Sequence, residues 1–128
     1  MNGDALQERA RARVDELPGA VLEHPFGPDC EVFKVRDKVF MLMTDVTGAP
    51  IVILKTGPED SKALREQHDD ITPGYHMNKR HWITLNPGGD LQESNVDDLV
   101  TDSYLLVVEN LPLAKRPVDP ATFGRNNR

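Results

Sequence analysis

The ten residues Pro-Gly-Tyr-His-Met-Asn-Lys-Arg-His-Trp, at 73–82, gather most of the reactive chemistry of this chain. They supply two imidazoles (His76, His81), two cations (Lys79, Arg80), the phenol of Tyr75 and the single tryptophan, Trp82. Cations beside flat rings can contact phosphates while the rings stack on bases. The same pairing also serves structure, since a guanidinium resting over an indole shields it. Both readings stay open for Trp82. From Ile71 to Gly89 there is no acid, in a chain with 21 acids and 15 bases. Lys34 and Arg36 share one face of an earlier strand and would enlarge the patch if strand order brings them near.

Other chemistries find less support. His68, Asp69 and Asp70 lie near His76 and His81, but His-x4-His is not the i, i+4 pair of a helical zinc site, and no cysteine pair backs it. The reading is a solvated helix end, with no metal and no cofactor expected. Cys30 has His24 and Glu31 close in sequence, yet a reactive thiol needs an electropositive setting and this one is flanked by Asp29 and Glu31. No P-loop and no GxGxxG is present, and Gly88-Gly89 reads as a turn. No catalytic residue is assigned, and the chain is not expected to be an enzyme.

Composition sets the frame for this patch. A chain of 128 residues fits one domain. The net charge of −6 favours solubility and leaves any phosphate-binding surface to a local cluster. One cysteine allows no internal disulfide, which suits a reducing compartment. Neither an apolar leader nor a run of the ~20 apolar residues of a membrane helix is visible, so a cytoplasmic location is expected.

The elements that must position the patch follow from periodicity. A helix is expected over 4–16, with Asp4 as cap, Gln7 at the capping-box position, and Leu6, Ala10 and Val14 on one face. Pro18-Gly19 ends it. A short strand follows over Ala20 to Glu23. Glu31 to Arg36 alternates, with Phe33 and Val35 on one side and Lys34 and Arg36 on the other. A turn at Asp37-Lys38 leads to Val39 through Thr44, and a second turn to Ile51 through Lys55. Both of these strands are apolar on two faces, as central strands or interface strands are. Gly57-Pro58 opens a helix reaching about His68. The 73–82 segment is then a loop entering a strand, His81 to Asn86, whose alternation turns Ile83 and Leu85 inward, Trp82 and Thr84 outward, and His81 toward the buried side. A third helix starts at Ser94, with Asp97 three residues later, and buries Leu99, Val100, Leu106 and Val107. The order predicts an α+β two-layer domain over 1–112, with an antiparallel sheet of four to five strands and about three helices. Residues 113–128, ending in Arg-Asn-Asn-Arg, read as a flexible tail.

The chain resembles the MmcQ/YjbR family of small bacterial proteins. The resemblance runs through HPFG at 24–27, VFKVRDKVFMLM at 32–43, LKTGPE at 54–59, PGYHMNKRHWITL at 73–85 and LVTDSYLLVVENLP at 99–112. Its most specific part is the 73–85 segment. It implies a frataxin-like (CyaY-like) or double-wing fold, and a label of predicted DNA-binding protein.

The expectation is a binding protein, monomeric or weakly dimeric, with DNA as leading ligand. Lys79 and Arg80 would touch phosphates, Tyr75 and Trp82 would stack, and His76 would donate a hydrogen bond, with Lys34 and Arg36 in support. The alternative is a protein-interaction or chaperone-like module, with doubly apolar strands as the interface and no nucleic acid. A third class is a small-ligand enzyme built on His76 and His81.

Overall fold

The computed structural model describes residues 1–123. Their order is α1 (Gly3–Val14), β1 (Ala20–Glu23), β2 (Cys30–Val35), β3 (Lys38–Thr44), β4 (Ile51–Lys55), α2 (Pro58–Gln67), β5 (Ile71–Pro73), β6 (Trp82–Leu85) and α3 (Glu93–Glu109), with a 3-10 turn at Leu113–Lys115. The fold is α+β: three α-helices and one antiparallel sheet, ordered β1-β2-β3-β4-β6-β5. The sheet has six strands rather than four to five. The addition is β5, three residues ending in proline, which alternation over so short a run does not reveal. No described helix is long and apolar enough to cross a membrane.

Register divides the sheet into two faces. Phe33, Met41, Leu54 and Ile83 are paired across β2, β3, β4 and β6. They belong to the main core with Leu6, Ala10 and Val14 of α1 and Val96, Val100, Tyr104 and Val107 of α3. Burying the larger of these side chains, valine, leucine, isoleucine, methionine and phenylalanine, between sheet and helices stabilises the fold by roughly 1.5–3 kcal/mol each before entropy is counted. The opposite face carries the row Val32, Leu42, Ile53 and Thr84. Val32 and Ile53 are buried there, only 1% and 3% exposed, so the doubly apolar strands do not display a greasy open face.

Local chemistry explains most boundaries. The β2–β3 hairpin turns at Arg36 and Asp37, both with positive φ (49° and 66°), one residue earlier than expected. A two-residue turn of that kind matches the right-handed twist of the strands. Arg36 therefore sits in the turn, not on the strand. A register shift between Phe33 and Lys34 lets Phe40 and Met41, adjacent in β3, both enter the core.

Two caps differ from expectation. Asn2, not Asp4, caps α1 by accepting from the Ala5 amide at 2.7 Å. Gln7 instead donates to the carbonyls of Thr44 and Ile51, both at 3.1 Å, fastening α1 to the ends of β3 and β4. At α3 the cap is Gln92 rather than Ser94, and Asn95 accepts from the Gln92 amide at 2.9 Å. Val100 and Val107 are buried as expected, whereas Leu99 and Leu106 are half-exposed.

The segment after Pro112, expected to fray, returns to the core as far as Phe123. Arg116 donates to the carbonyls of Leu111 and Glu109, and Val118 and Phe123 pack on the core, with the Phe123 ring 6.1 Å from that of Tyr104. The Arg-Asn-Asn-Arg end lies outside the described residues.

Candidate nucleic-acid interface

The 74–81 segment is the loop of a hairpin between edge strand β5 and β6. Thr84, on the face away from α1 and α3, holds its start. The Thr84 hydroxyl donates to the Pro73 carbonyl (3.1 Å) and accepts from the Tyr75 amide (2.9 Å), bending the chain over that face. Gly74 donates to the Trp82 carbonyl at 2.9 Å. His76 takes the left-handed conformation (φ 55°), uncommon for a residue with a side chain. Its ring stands edge-on to Tyr75, with centroids 4.2 Å apart. Tyr75 is half-buried and His76 exposed.

Lys79, expected at a phosphate, turns back and donates to the Gly74 carbonyl at 2.8 Å, closing the loop. The Arg80 amide donates to Asn78 Oδ1, while its exposed guanidinium makes no hydrogen bond or ion pair among the described residues. His81 is exposed, contrary to its expected inward phase, because β6 begins one residue later. Its carbonyl accepts from the Thr56 amide at 2.8 Å.

Trp82 faces outward, as expected, on the side of Thr84, and is half-buried. The cation over its ring is Lys55, not Arg80. Lys55 is paired with Trp82 across β4 and β6, with Nζ 6.0 Å from the ring centroid, within the reach of a cation–π contact. Sequence reading missed Lys55 because it lies 27 positions from Trp82 and only strand order joins them.

Strand direction supplies the rest of the patch. The end of β2, the start of β3, the end of β4 and the start of β6 all lie at one end of the sheet. Arg36, Lys38, Lys55, Arg80 and Trp82 therefore share that end. Lys38 and Lys55 line one cleft, of about 170 Å³, beside Val39 and Val107. Lys34 lies three strand spacings from Trp82, roughly 14 Å, on the same face. It is paired with Glu23 at 2.9 Å, and Arg36 donates to the Lys115 carbonyl at 2.9 Å, so both are partly engaged.

The Cys30 thiol is pushed above its ordinary value, first by burial and then by the charge of Glu31. That holds it in the protonated, less nucleophilic form.

The YjbR family model matches residues 15–106. The chain is 43% identical to YbdF of Escherichia coli O157:H7 over 116 residues, 91% of this chain and 93% of that one. It is 43% identical to YjbR of Escherichia coli K12 over 83 residues, 65% of this chain and 70% of the other. Among solved structures, a Deinococcus radiodurans protein with a DUF419 domain superposes with a TM-score of 0.76 at 34% identity, covering 83% of this chain and 81% of its own. A Pseudomonas syringae protein does so with a TM-score of 0.65 at 31% identity, over 83% of this chain and 98% of its own. The match spans β1 through most of α3, including the hairpin that carries Tyr75 to Trp82, and on that basis the chain belongs to the YjbR family.

Proposed function

We propose that this protein binds DNA, through the basic and aromatic end of its sheet, without enzymatic chemistry. The observation that carries the reading is the Trp82 corner: a half-exposed indole with Lys55 over it and, two residues away, the exposed Arg80 guanidinium, which has no partner among the described residues. Lys55, Arg80 and Lys38 would contact phosphates, with Lys34 and Arg36 at the periphery and Lys79 shaping the loop. Trp82 would stack on an unpaired base, and Tyr75 and His76 would border it. The resemblance to CyaY-like and double-wing folds belongs to this reading, as does a cytoplasmic protein working as a monomer or weak dimer.

The test is titration of the full chain with a fluorescent oligonucleotide across a salt series. Counterion release makes log affinity fall linearly with log salt, by about 0.7 per phosphate for single strands and 0.9 for duplex. Lys55→Ala with Arg80→Ala should weaken binding and flatten the slope by nearly two contacts. Absence of binding by the wild type at low salt rejects the proposal.

A second reading, a protein-interaction module, rests on edge strand β1. Val21 and Leu22 are exposed on it, and Phe26, in the turn that follows, is 76% exposed. Association through that edge would change little with salt and would not respond to Lys55→Ala.

A further inference from the structure

The opposite end of the sheet holds a different set of side chains. His68 follows α2, Asp70 precedes β5, and Asp90 ends the turn after β6. A ring nitrogen of His68 and one carboxylate oxygen each of Asp70 and Asp90 lie within 4.8 Å of one another. His68 Nδ1 and Asp90 Oδ1 are 3.4 Å apart.

Asp70 supplies an independent observation. The residue is 7% exposed. Its Oδ2 accepts from the Leu91 amide at 3.2 Å, but its buried Oδ1 has no hydrogen-bond partner among the described residues. A buried carboxylate oxygen is normally satisfied, because removing charge from water without a partner is costly. No lysine or arginine bridges to Asp70 among the described residues. The Met1 ammonium donates to the Gly89 carbonyl at 3.3 Å rather than to Asp70.

The backbone is shaped around this group. The Asn86 amide and side chain both donate to the Asp70 carbonyl, at 2.8 and 3.2 Å. A Cβ at Gly89 would overlap the Asp70 carboxylate, so residue 89 has to be glycine for the turn to close over it.

We propose that His68, Asp70 and Asp90 form a binding site for a divalent transition-metal ion of the Zn2+ or Mn2+ kind. Two carboxylates supply the charge, and the imidazole selects against Mg2+ and Ca2+, which take oxygen donors. Metal bonds of about 2.1 Å set neighbouring donor atoms roughly 3.0–3.4 Å apart. The His68–Asp90 separation of 3.4 Å already meets that. The Asp90 side chain, 77% exposed, is free to rotate and close the wider separations. Three protein donors leave the remaining positions to water. The ion would satisfy Asp70 and tie the end of α2 to the turn before α3. Histidine spacing argued against a metal because Asp90 is 22 residues from His68, and only the β5–β6 pairing unites them.

The full chain, stripped with chelator and dialysed, is titrated with ZnCl2 or MnCl2 alone by calorimetry. One ion per chain is expected, with a raised melting temperature, and affinity about tenfold or more weaker in His68→Ala and in Asp90→Asn. A second measurement guards against misfolded variants: Mn2+ should broaden the wild-type amide resonances around His68 and Leu91 before any others. The proposal is overturned if neither ion binds at one per chain. It is equally overturned if both variants bind as the wild type does, or if broadening centres on His76 and His81 instead.

Discussion

Gly74 lies so close to Trp82 that a Cβ at position 74 would stand 2.5 Å from the Trp82 Cβ. The Gly74 amide donates to the Trp82 carbonyl across the same contact. The glycine thus lets the loop press on the root of the indole and sets where the ring emerges. Gly74→Ala must push the two strands apart, which by analogy with overpacked cores costs about 1–3 kcal/mol. A urea melt should show that loss, and the tryptophan emission should shift as the ring moves toward water. Unchanged stability and emission would mean that the loop adjusts without involving Trp82.

Ser103 replaces a missing strand contact. The β3–β4 ladder stops at the Met41–Leu54 pair. Beyond it the buried Ser103 hydroxyl accepts from the Lys55 amide at 2.8 Å and donates to the Phe40 carbonyl at 2.5 Å. Ser103→Ala leaves both groups without that partner, at a cost of about 1–3 kcal/mol. Hydrogen exchange at the Lys55 amide should accelerate more than the global stability loss explains. Because Lys55 stands over Trp82, the same variant should also loosen that pair.

What could be read in the sequence, and what could not, divides along the range of the signal. The stripe Leu6, Ala10, Val14 is local and three of three are buried. Pro58 at the start of α2 and the outward phase of Trp82 are local too, and both hold in the structure. Caps were misplaced because Asn2, Asp4, Gln92 and Ser94 all offer a suitable oxygen and lie within two residues of each other in pairs. Tertiary contacts, such as Gln7 reaching Thr44, decide which is used. The cation over Trp82 was misassigned for a similar reason. Arg80 is near in sequence, but Lys55 is near in the sheet, and strand order is not encoded in any short window.

Tyr104 links α3 to the turn after α1. Its hydroxyl donates to the Pro18 carbonyl at 2.5 Å, and its ring meets Phe40 edge-on. Burial pushes its phenol up to about 12. Between its ordinary value, about 10, and 12 the unfolded chain loses the proton first. The folded state then binds more protons, so stability falls as pH rises through that window. The Tyr104 contribution is complete below about pH 10, and its loss by pH 12 is on the order of 2 kcal/mol. Urea melts from pH 9 to 11.5 should show the decline. Tyr104→Phe should be less stable at neutral pH, through the lost hydrogen bond, and should decline less over the alkaline range.

Trp82 decides between a working surface and a structural one. A fully buried aromatic truncated to alanine costs about 3–5 kcal/mol. Trp82 is half-buried, its partner Lys55 is also half-exposed, and the ring stands on the face away from the main core. Trp82→Ala should therefore cost less, about 1–2 kcal/mol on the same scale. If the ring stacks on a base, the variant should also lose roughly 1–3 kcal/mol of single-strand affinity. The salt slope should stay unchanged, because no phosphate contact is removed. Trp82→Phe, which keeps an aromatic face, should recover part of the affinity. A denaturant melt and an oligonucleotide titration of the two variants separate the terms. A stability loss near that of a core aromatic, with wild-type fluorescence indifferent to oligonucleotide, would assign Trp82 to packing alone.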